Sequence, residues 1–156
     1  MKKTSLLTVL FFFSLVSFSQ NEKVLAHNKE LYKAIETGDV SKIKDYIDKD
    51  AVDHGGGANG QDVKGGDSIM AMLGGIHNSF TDLKMEVIAD AINGDYVFSL
   101  VRLTGTTTAN PGMGMPPNKK MDSKSVDVVR IKNGKAVEHW EFMDPKEMMA
   151  MMGAGK

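Results

Sequence analysis

Two short segments carry proton-transfer side chains next to features able to place them in a cavity. Asp53-His54 stands immediately before a glycine-rich stretch, Gly55-Gly56-Gly57-Ala58-Asn59-Gly60, and Glu138-His139-Trp140-Glu141-Phe142-Met143-Asp144 closes a run of β-forming residues. A histidine at a strand end beside flexible backbone can reach a pocket, and its ordinary pKa near 6.5 suits proton exchange around neutrality. It can equally stay solvated at a rim. Alternate side chains of a strand share a face. Glu138, Trp140, Phe142 and Asp144 therefore fall on one side, and His139, Glu141 and Met143 on the other. The side carrying Trp140 and Phe142 is the one expected to face inward. Asp144 then lies at the rim or floor of an apolar cavity, where lost hydration raises a carboxyl pKa toward a value useful for proton transfer. His54 and Asp144 are the acid/base candidates on this reading, with Trp140, Phe142, Tyr96 and Met113 as pocket wall.

Each candidate also has a plain structural role. Asp144-Pro145-Lys146-Glu147 reads as an N-cap, a proline at the first helical position and an acid at the third, the pattern of a capping box. The two roles are compatible. His77 is a further pocket candidate, but it falls on the apolar stripe of an expected helix, where a hydrogen-bonded core position is commoner. His139 points away from Trp140 by strand parity, and His27 is expected at the surface. No His-Glu-x-x-His or comparable metal spacing occurs. There is no Gly-x-Ser-x-Gly elbow and no cysteine nucleophile. What remains is acid/base chemistry with no metal or other cofactor. Methionine is abundant, at 12 residues, and Met143, Met148, Met149, Met151 and Met152 crowd the C-terminus. Thioethers can hold Cu(I), but the close spacing is confined to one terminal block and reads better as adaptable filler of a pocket or partner surface.

Residues 1–20 read as a signal peptide. Lys2 and Lys3 precede an apolar run from Leu6 to Phe18, which is shorter than the roughly 20 residues a spanning helix needs. The spacing of Ser17 and Ser19 points to a cut after Ser19, with a cut after Gln20 as the alternative. No cysteine follows to take a lipid anchor. The expectation is an exported protein, periplasmic or secreted, with no membrane attachment after cleavage. Residues 21–156 then form one domain with room for a core. Without cysteines its stability rests on packing. The net charge of -1 and the lack of a basic stripe argue against a nucleic-acid partner.

The elements that would hold these side chains follow from periodicity and breakers. Val24 to Glu36 predicts a helix closed by Gly38. Asp39 predicts the cap of a short second helix through Ile47, and Asp67 the cap of a third carrying Ile69, Leu73, Ile76, His77 and Phe80. Ala51 to His54 reads as a short strand. From Asp82 the pattern turns to strands, with hairpins at Asn93-Gly94-Asp95 and Asn133-Gly134 and a loop from Asn110 to Lys120. A last strand spans Lys135 to Met143, and one or two helical turns follow from Pro145 to Met152. The class is α+β, with helices covering one face of an antiparallel meander.

Taken in order, helix-Thr37-Gly38-Asp39-helix, Asp50-Ala51-Val52-Asp53-His54, Gly94-Asp95, Gly105-Thr106, Pro116-Pro117, Asn133-Gly134-Lys135 and Glu138-His139-Trp140 with Asp144 resemble the SnoaL-like polyketide cyclase (ester cyclase) family of the nuclear transport factor 2-like superfamily. The resemblance implies a cone-shaped curved sheet whose N-terminal helices, three here, enclose a pocket. It also implies metal-free acid/base closure of a ring in that pocket. Carried over by position, it assigns His54 and Asp144 to the motif ends and Trp140 to the wall, with the family's catalytic aspartate at Asp122 or Asp127. Two departures stand out. Gly105-Thr106-Thr107 replaces the family's Gly-Thr-His, and Pro116-Pro117-Asn118-Lys119 replaces Pro-Pro-Thr-Gly. The expected partner is a small hydrophobic molecule, either transformed or simply bound, and a homodimer through the sheet is the alternative use of the fold.

Overall fold

The structure is a computed structural model and describes residues 5–57, 60–112 and 114–152. Met113 of the expected pocket wall lies outside these residues, as do residues 1–4 of the expected signal peptide and Ala58-Asn59 of the glycine-rich stretch.

Helix α1 (Ser5–Thr37) starts within the segment expected to be a signal peptide and runs on through the helix predicted from Val24 to Glu36. Gly38 ends it. Its φ of 75° and its N–H bond to the Ile35 carbonyl at 3.2 Å form the left-handed closure that glycine accepts without strain. A Cβ there would also stand 2.7 Å from His77 Cδ2. The predicted second helix is a 3-10 turn, Val40–Tyr46. Asp39 precedes it without capping it; its carboxylate instead accepts from Ser41 Oγ at 2.6 Å and pairs with Lys42 at 3.1 Å. Helix α2 (Gly66–Asn78) has Gly65 at its N-cap, and Asp67 lies one residue inside it. There its charge still suits the helix dipole.

Six strands follow one another around a curved, unclosed sheet: β1 (Ile47–His54), β2 (Val63–Lys64), β3 (Lys84–Asn93), β4 (Tyr96–Thr106), β5 (Lys120–Lys132) and β6 (Lys135–Met143), in the spatial order β2-β1-β6-β5-β4-β3. Both hairpins form where the sequence places them. Asn133 and Gly134 have φ of 52° and 77°, the pair of positive values that suits the twist of flanking strands. One pairing departs from the expected meander. β1 runs parallel to β6, which sets Asp53 opposite His139 and His54 opposite Trp140. A short helix, α3 (Pro145–Met151), completes the described chain.

The helices cover one face of the sheet. Ala34, Ile43, Ile47, Ala51 and Ile69 form one buried cluster between α1, the 3-10 turn, β1 and α2. Ile35, Phe80, Leu83, Met115 and Met121 form a second toward the other end. Ile43 is completely buried, which contributes roughly 2 kcal/mol through apolar area alone. The opposite face has no helix over it among the described residues, and Tyr96, Phe98, Val126 and Phe142 stay exposed there.

Candidate functional site

Between the helices and the inner sheet face lies a cavity of about 480 Å³. Its walls are apolar, with Leu31 and Ile35 from α1, Leu73 and Ile76 from α2, and Val97, Val101 and Val129 from the sheet. Among the described residues, Met72, Met85, Met115, Met143, Met148 and Met151 also line it. A patch of polar groups interrupts this lining, and strand register assembles it. The β1–β6 pairing brings Asp53 to His139, and the β5–β6 pairing sets Asp127 opposite Glu141.

The bonds within the patch are direct. His139 Nδ1 lies 2.7 Å from Asp53 Oδ2. Tyr32 donates its hydroxyl to Asp127 Oδ2 at 2.8 Å, and Ser125 donates to Oδ1 at 2.9 Å. Asn28 donates to Ser99 Oγ at 2.7 Å beside them. Asp53 and Asp127 are 4% and 7% exposed, so neither carboxylate is hydrated in the ordinary way. Electrostatics follow from this enclosure. Burial works against a charged His139, but the hydrogen bond and charge of Asp53, helped by Asp127 and Glu141, outweigh it and raise its proton affinity. The Glu141 carboxyl is also pushed up, first by burial and then by the charge of Asp127. Its side chain remains open to the cavity itself. Burial and the neighbouring Asp127 push the Tyr32 hydroxyl up as well, so it stays a donor.

The inward face is therefore the reverse of the one expected. His139, Glu141 and Met143 line the cavity while Trp140 and Phe142 do not, and of the face shared by Glu138, Trp140 and Phe142 Glu138 alone reaches it, close to the register shift between β5 and β6. Trp140 packs on the outer side opposite Val128, and Phe142 is 59% exposed. The inner volume is a hollow walled mainly by aliphatic and methionine side chains, and the inward positions of β5 and β6 carry its polar patch, Ser123, Ser125, Asp127, His139 and Glu141. Tyr96 is on the outer face too, 6.5 Å from Trp140 between ring centroids. His54 touches the edge of the cavity, but its ring stacks on Trp140 at 4.7 Å and lies between Asp62 and Glu138, at 3.4 and 3.5 Å.

Asp144 lies outside the cavity lining and caps α3, accepting from the Lys146 N–H at 2.7 Å, so His54 and Asp144 do not converge on one space. Asp122 is exposed and accepts from Arg102 Nε at 2.8 Å and Nη2 at 2.6 Å. Of the two aspartates the resemblance offered, Asp127 is the one inside. His77 holds the Glu36 carbonyl with Nδ1 at 2.9 Å, a structural bond between α2 and the end of α1. His27 is not a free surface residue, since it stacks on Tyr46 at 3.9 Å.

Asp53, His139, Glu141 and Tyr32 were not singled out by the sequence. The usable signal lay in the adjacent pairs Asp53-His54 and Glu138-His139. All four of these residues reach the cavity, but the parallel register sets Asp53 against His139 in the polar patch, while His54 meets Glu138. The resulting arrangement holds a carboxylate steadied by two hydroxyl donors, a carboxyl that resists ionisation and an imidazole that favours its proton, all within apolar walls that strengthen each interaction.

The comparisons with known proteins agree with this architecture. Residues 26–151 match the family model described as SnoaL-like polyketide cyclase. No match to a curated protein was found. Among solved structures, the chain is similar to AclR, a proposed hydroxylase from Streptomyces galilaeus, at 26% identity and a TM-score of 0.65, covering 85% of this chain and 82% of that one. It is similar in fold to IdmH, a proposed polyketide cyclase from Streptomyces antibioticus, at 24% identity and 0.66, covering 83% and 98%. A proposed SnoaL-like polyketide cyclase from Jannaschia sp. CCS1 superimposes at 0.70 with 21% identity, covering 87% and 93%.

Proposed function

Because the chain belongs to the SnoaL-like polyketide cyclase family, we propose that it binds a small hydrophobic molecule in the cavity and moves protons on it, without a metal or other cofactor. The observation that carries this reading is the convergence of Asp53, Asp127, His139 and Glu141 on one apolar cavity. Asp127 takes a proton from a carbon beside a carbonyl group, its lone pairs held in place by Tyr32 and Ser125. Glu141, whose carboxyl resists ionisation, and His139, which holds its proton more tightly than a free imidazole, face the oxygen on which charge develops, and Asp53 holds the imidazole ring in orientation. The enolate carbon then attacks the carbon of a second carbonyl in the same molecule, whose oxygen becomes a hydroxyl with the proton that Asp127 had taken, or the enolate carbon simply takes that proton back from Asp127.

The test needs no knowledge of the natural substrate. N-phenyl-1-naphthylamine, a neutral apolar fluorophore, reports occupancy of the cavity. Exchange of the α-proton of simple β-keto esters into D₂O, followed by NMR, reports proton transfer. Wild type is expected to bind the fluorophore and to exchange above buffer, with Asp127→Asn lowering exchange at least tenfold. If Asp127→Asn and His139→Gln both exchange at the wild-type rate, the chemistry assigned to them is wrong.

Export belongs to the same proposal. Residues 1–20 act as a signal peptide on this reading, which rests on Lys2-Lys3 and the apolar run from Leu6 to Phe18. The exported protein should begin at Gln20 or Asn21 by intact mass, and a chain recovered only with Met1 in place would exclude it. A second use of the fold is supported by the exposed side chains of Tyr96, Phe98, Val126 and Phe142 on one sheet face, which suit a homodimer. Sedimentation should then show a dimer that Phe142→Glu weakens. A monomer at every concentration would remove this reading.

A further inference from the structure

The glycine-rich stretch after β1 has no role in the reading above, yet part of it touches the polar patch. Gly56 lines the cavity and lies directly against Asp53. A Cβ built on Gly56 would fall 2.8 Å from Asp53 Cγ, closer still to Oδ1, and 3.1 Å from Met72 Sδ of α2. Backbone hydrogen bonds hold the described residues on either side of Gly56. Gly57 N–H donates to the Gln61 carbonyl at 2.8 Å, Gly60 N–H donates to the Gly57 carbonyl at 3.1 Å, and Gly55 N–H donates to Asp62 Oδ1 at 3.3 Å. Asp53 is thus enclosed on two sides, with Oδ2 against His139 Nδ1 and Oδ1 against the loop backbone.

We propose that Gly56 is a positioning residue: its bare backbone leaves the space that Asp53 Oδ1 occupies, and so seats Oδ2 on His139 Nδ1. The inference rests on the acid/base reading of the cavity but assigns a part to the loop, which that reading leaves out. Gly55 and Gly60 are glycines for a different reason, since their φ values of 77° and 73° are unfavourable for other residues. Gly56 has no positive φ, so alanine is admissible there by conformation and its effect is steric. With alanine in place, the Asp53 carboxylate must rotate or the loop must shift. Either movement lengthens the bond to His139. The charged and titratable groups facing that imidazole are Asp53 on β1, Asp127 on β5 and Glu141 on β6. Of these, Asp53 supplies the two atoms nearest to a Cβ on Gly56.

The experiment is a pH titration of the histidine ring signals by NMR on the full chain, with His139 assigned by its loss in His139→Gln. Gly56→Ala is expected to lower the His139 midpoint by about half a pH unit or more, roughly a threefold weaker hold on the proton. Gly75→Ala on α2, where an added Cβ meets nothing within 4 Å, should titrate as wild type. Adding Met72→Ala to Gly56→Ala should leave the midpoint low, because room beside Met72 does not free Asp53. A His139 midpoint unchanged in Gly56→Ala overturns the proposal, and so does recovery on adding Met72→Ala.

If Gly56→Ala folds too poorly to titrate, the Asp53→Ala background decides. It leaves no atom beyond Cβ to meet the added methyl, so there Gly56→Ala should no longer lower the urea midpoint. An equal loss in both backgrounds would overturn the assignment. Neither measurement involves a ligand. A protein that fails to exchange protons on β-keto esters would therefore sink the proposed function while leaving the role of Gly56 to be decided on its own result.

Discussion

Asp53→Asn keeps the shape of the side chain and removes its charge, so it isolates what the Asp53–His139 pair contributes. In the fold His139 holds its proton more tightly than a free histidine, against the effect of burial and chiefly through Asp53. A group whose folded pKa lies above its unfolded value near 6.5 contributes stability that is fully present below that value. The contribution is lost as pH rises through the folded pKa. A hydrogen bond to a charged group contributes about 1.5–3 kcal/mol. His139 leaves 30% of its side chain open to the cavity, where water screens the pair, so the lower end of that range applies. The expected loss in Asp53→Asn is therefore about 1.5 kcal/mol near pH 5.5. It should shrink to about 0.5 kcal/mol toward pH 9, where a neutral imidazole still donates Nδ1–H to the wild-type carboxylate. Urea unfolding of both proteins at three pH values, at equal slope, reads this directly. A loss that is constant with pH, or that grows with it, would refute the pairing as described.

Three further outcomes follow from the same geometry. Glu141 resists ionisation in the fold, so wild type loses stability as pH rises above the free value near 4.3; Glu141→Gln should melt higher than wild type at pH 8 and level with it at pH 4, and a lower melting point at pH 8 would contradict this. Tyr32→Phe leaves buried Asp127 with Ser125 as its one remaining hydroxyl donor among the described residues and should cost about 1–3 kcal/mol in urea unfolding, with an unshifted midpoint counting against the bond. Gly38→Ala combines a φ of 75° with a Cβ 2.7 Å from His77 Cδ2 and should cost about 2 kcal/mol, whereas Gly75→Ala within α2 should be neutral or stabilising by thermal melt.

The fold was largely legible because its signals are local. Gly38, Gly94 and the Asn133-Gly134 turn each need a backbone conformation that their residue types favour, and the alternation in β6 shows which of its residues share a face. What alternation does not carry is the sign of that face. Trp140 and Phe142 looked like core by hydrophobicity, but a hollow interior can be lined by Ser123, Ser125 and Asp127 while aromatics pack outside. The parallel pairing of β1 with β6 was also beyond local reading, since it joins segments far apart in sequence. The Asp53–His139 contact depends on that pairing. Asp127 came within reach only through family resemblance, and its separation from Asp122 required knowing that Arg102 sits on the outer side of the sheet.

The strand order has a consequence for how the molecule comes to exist. β6 lies between β1 and β5, so the first and last long strands meet in the middle of the sheet. A chain that stops at the Asn133-Gly134 turn would possess Tyr32, Asp53 and Asp127, yet the sheet would be divided into β2-β1 on one side and β5-β4-β3 on the other. Closing such a distant contact carries an entropic cost that only the final docking repays, and folds rich in distant pairings form slowly. The cavity wall therefore cannot be completed until β6 has been made and docked, and a chain that ends before Lys135 lacks His139 and Glu141 altogether.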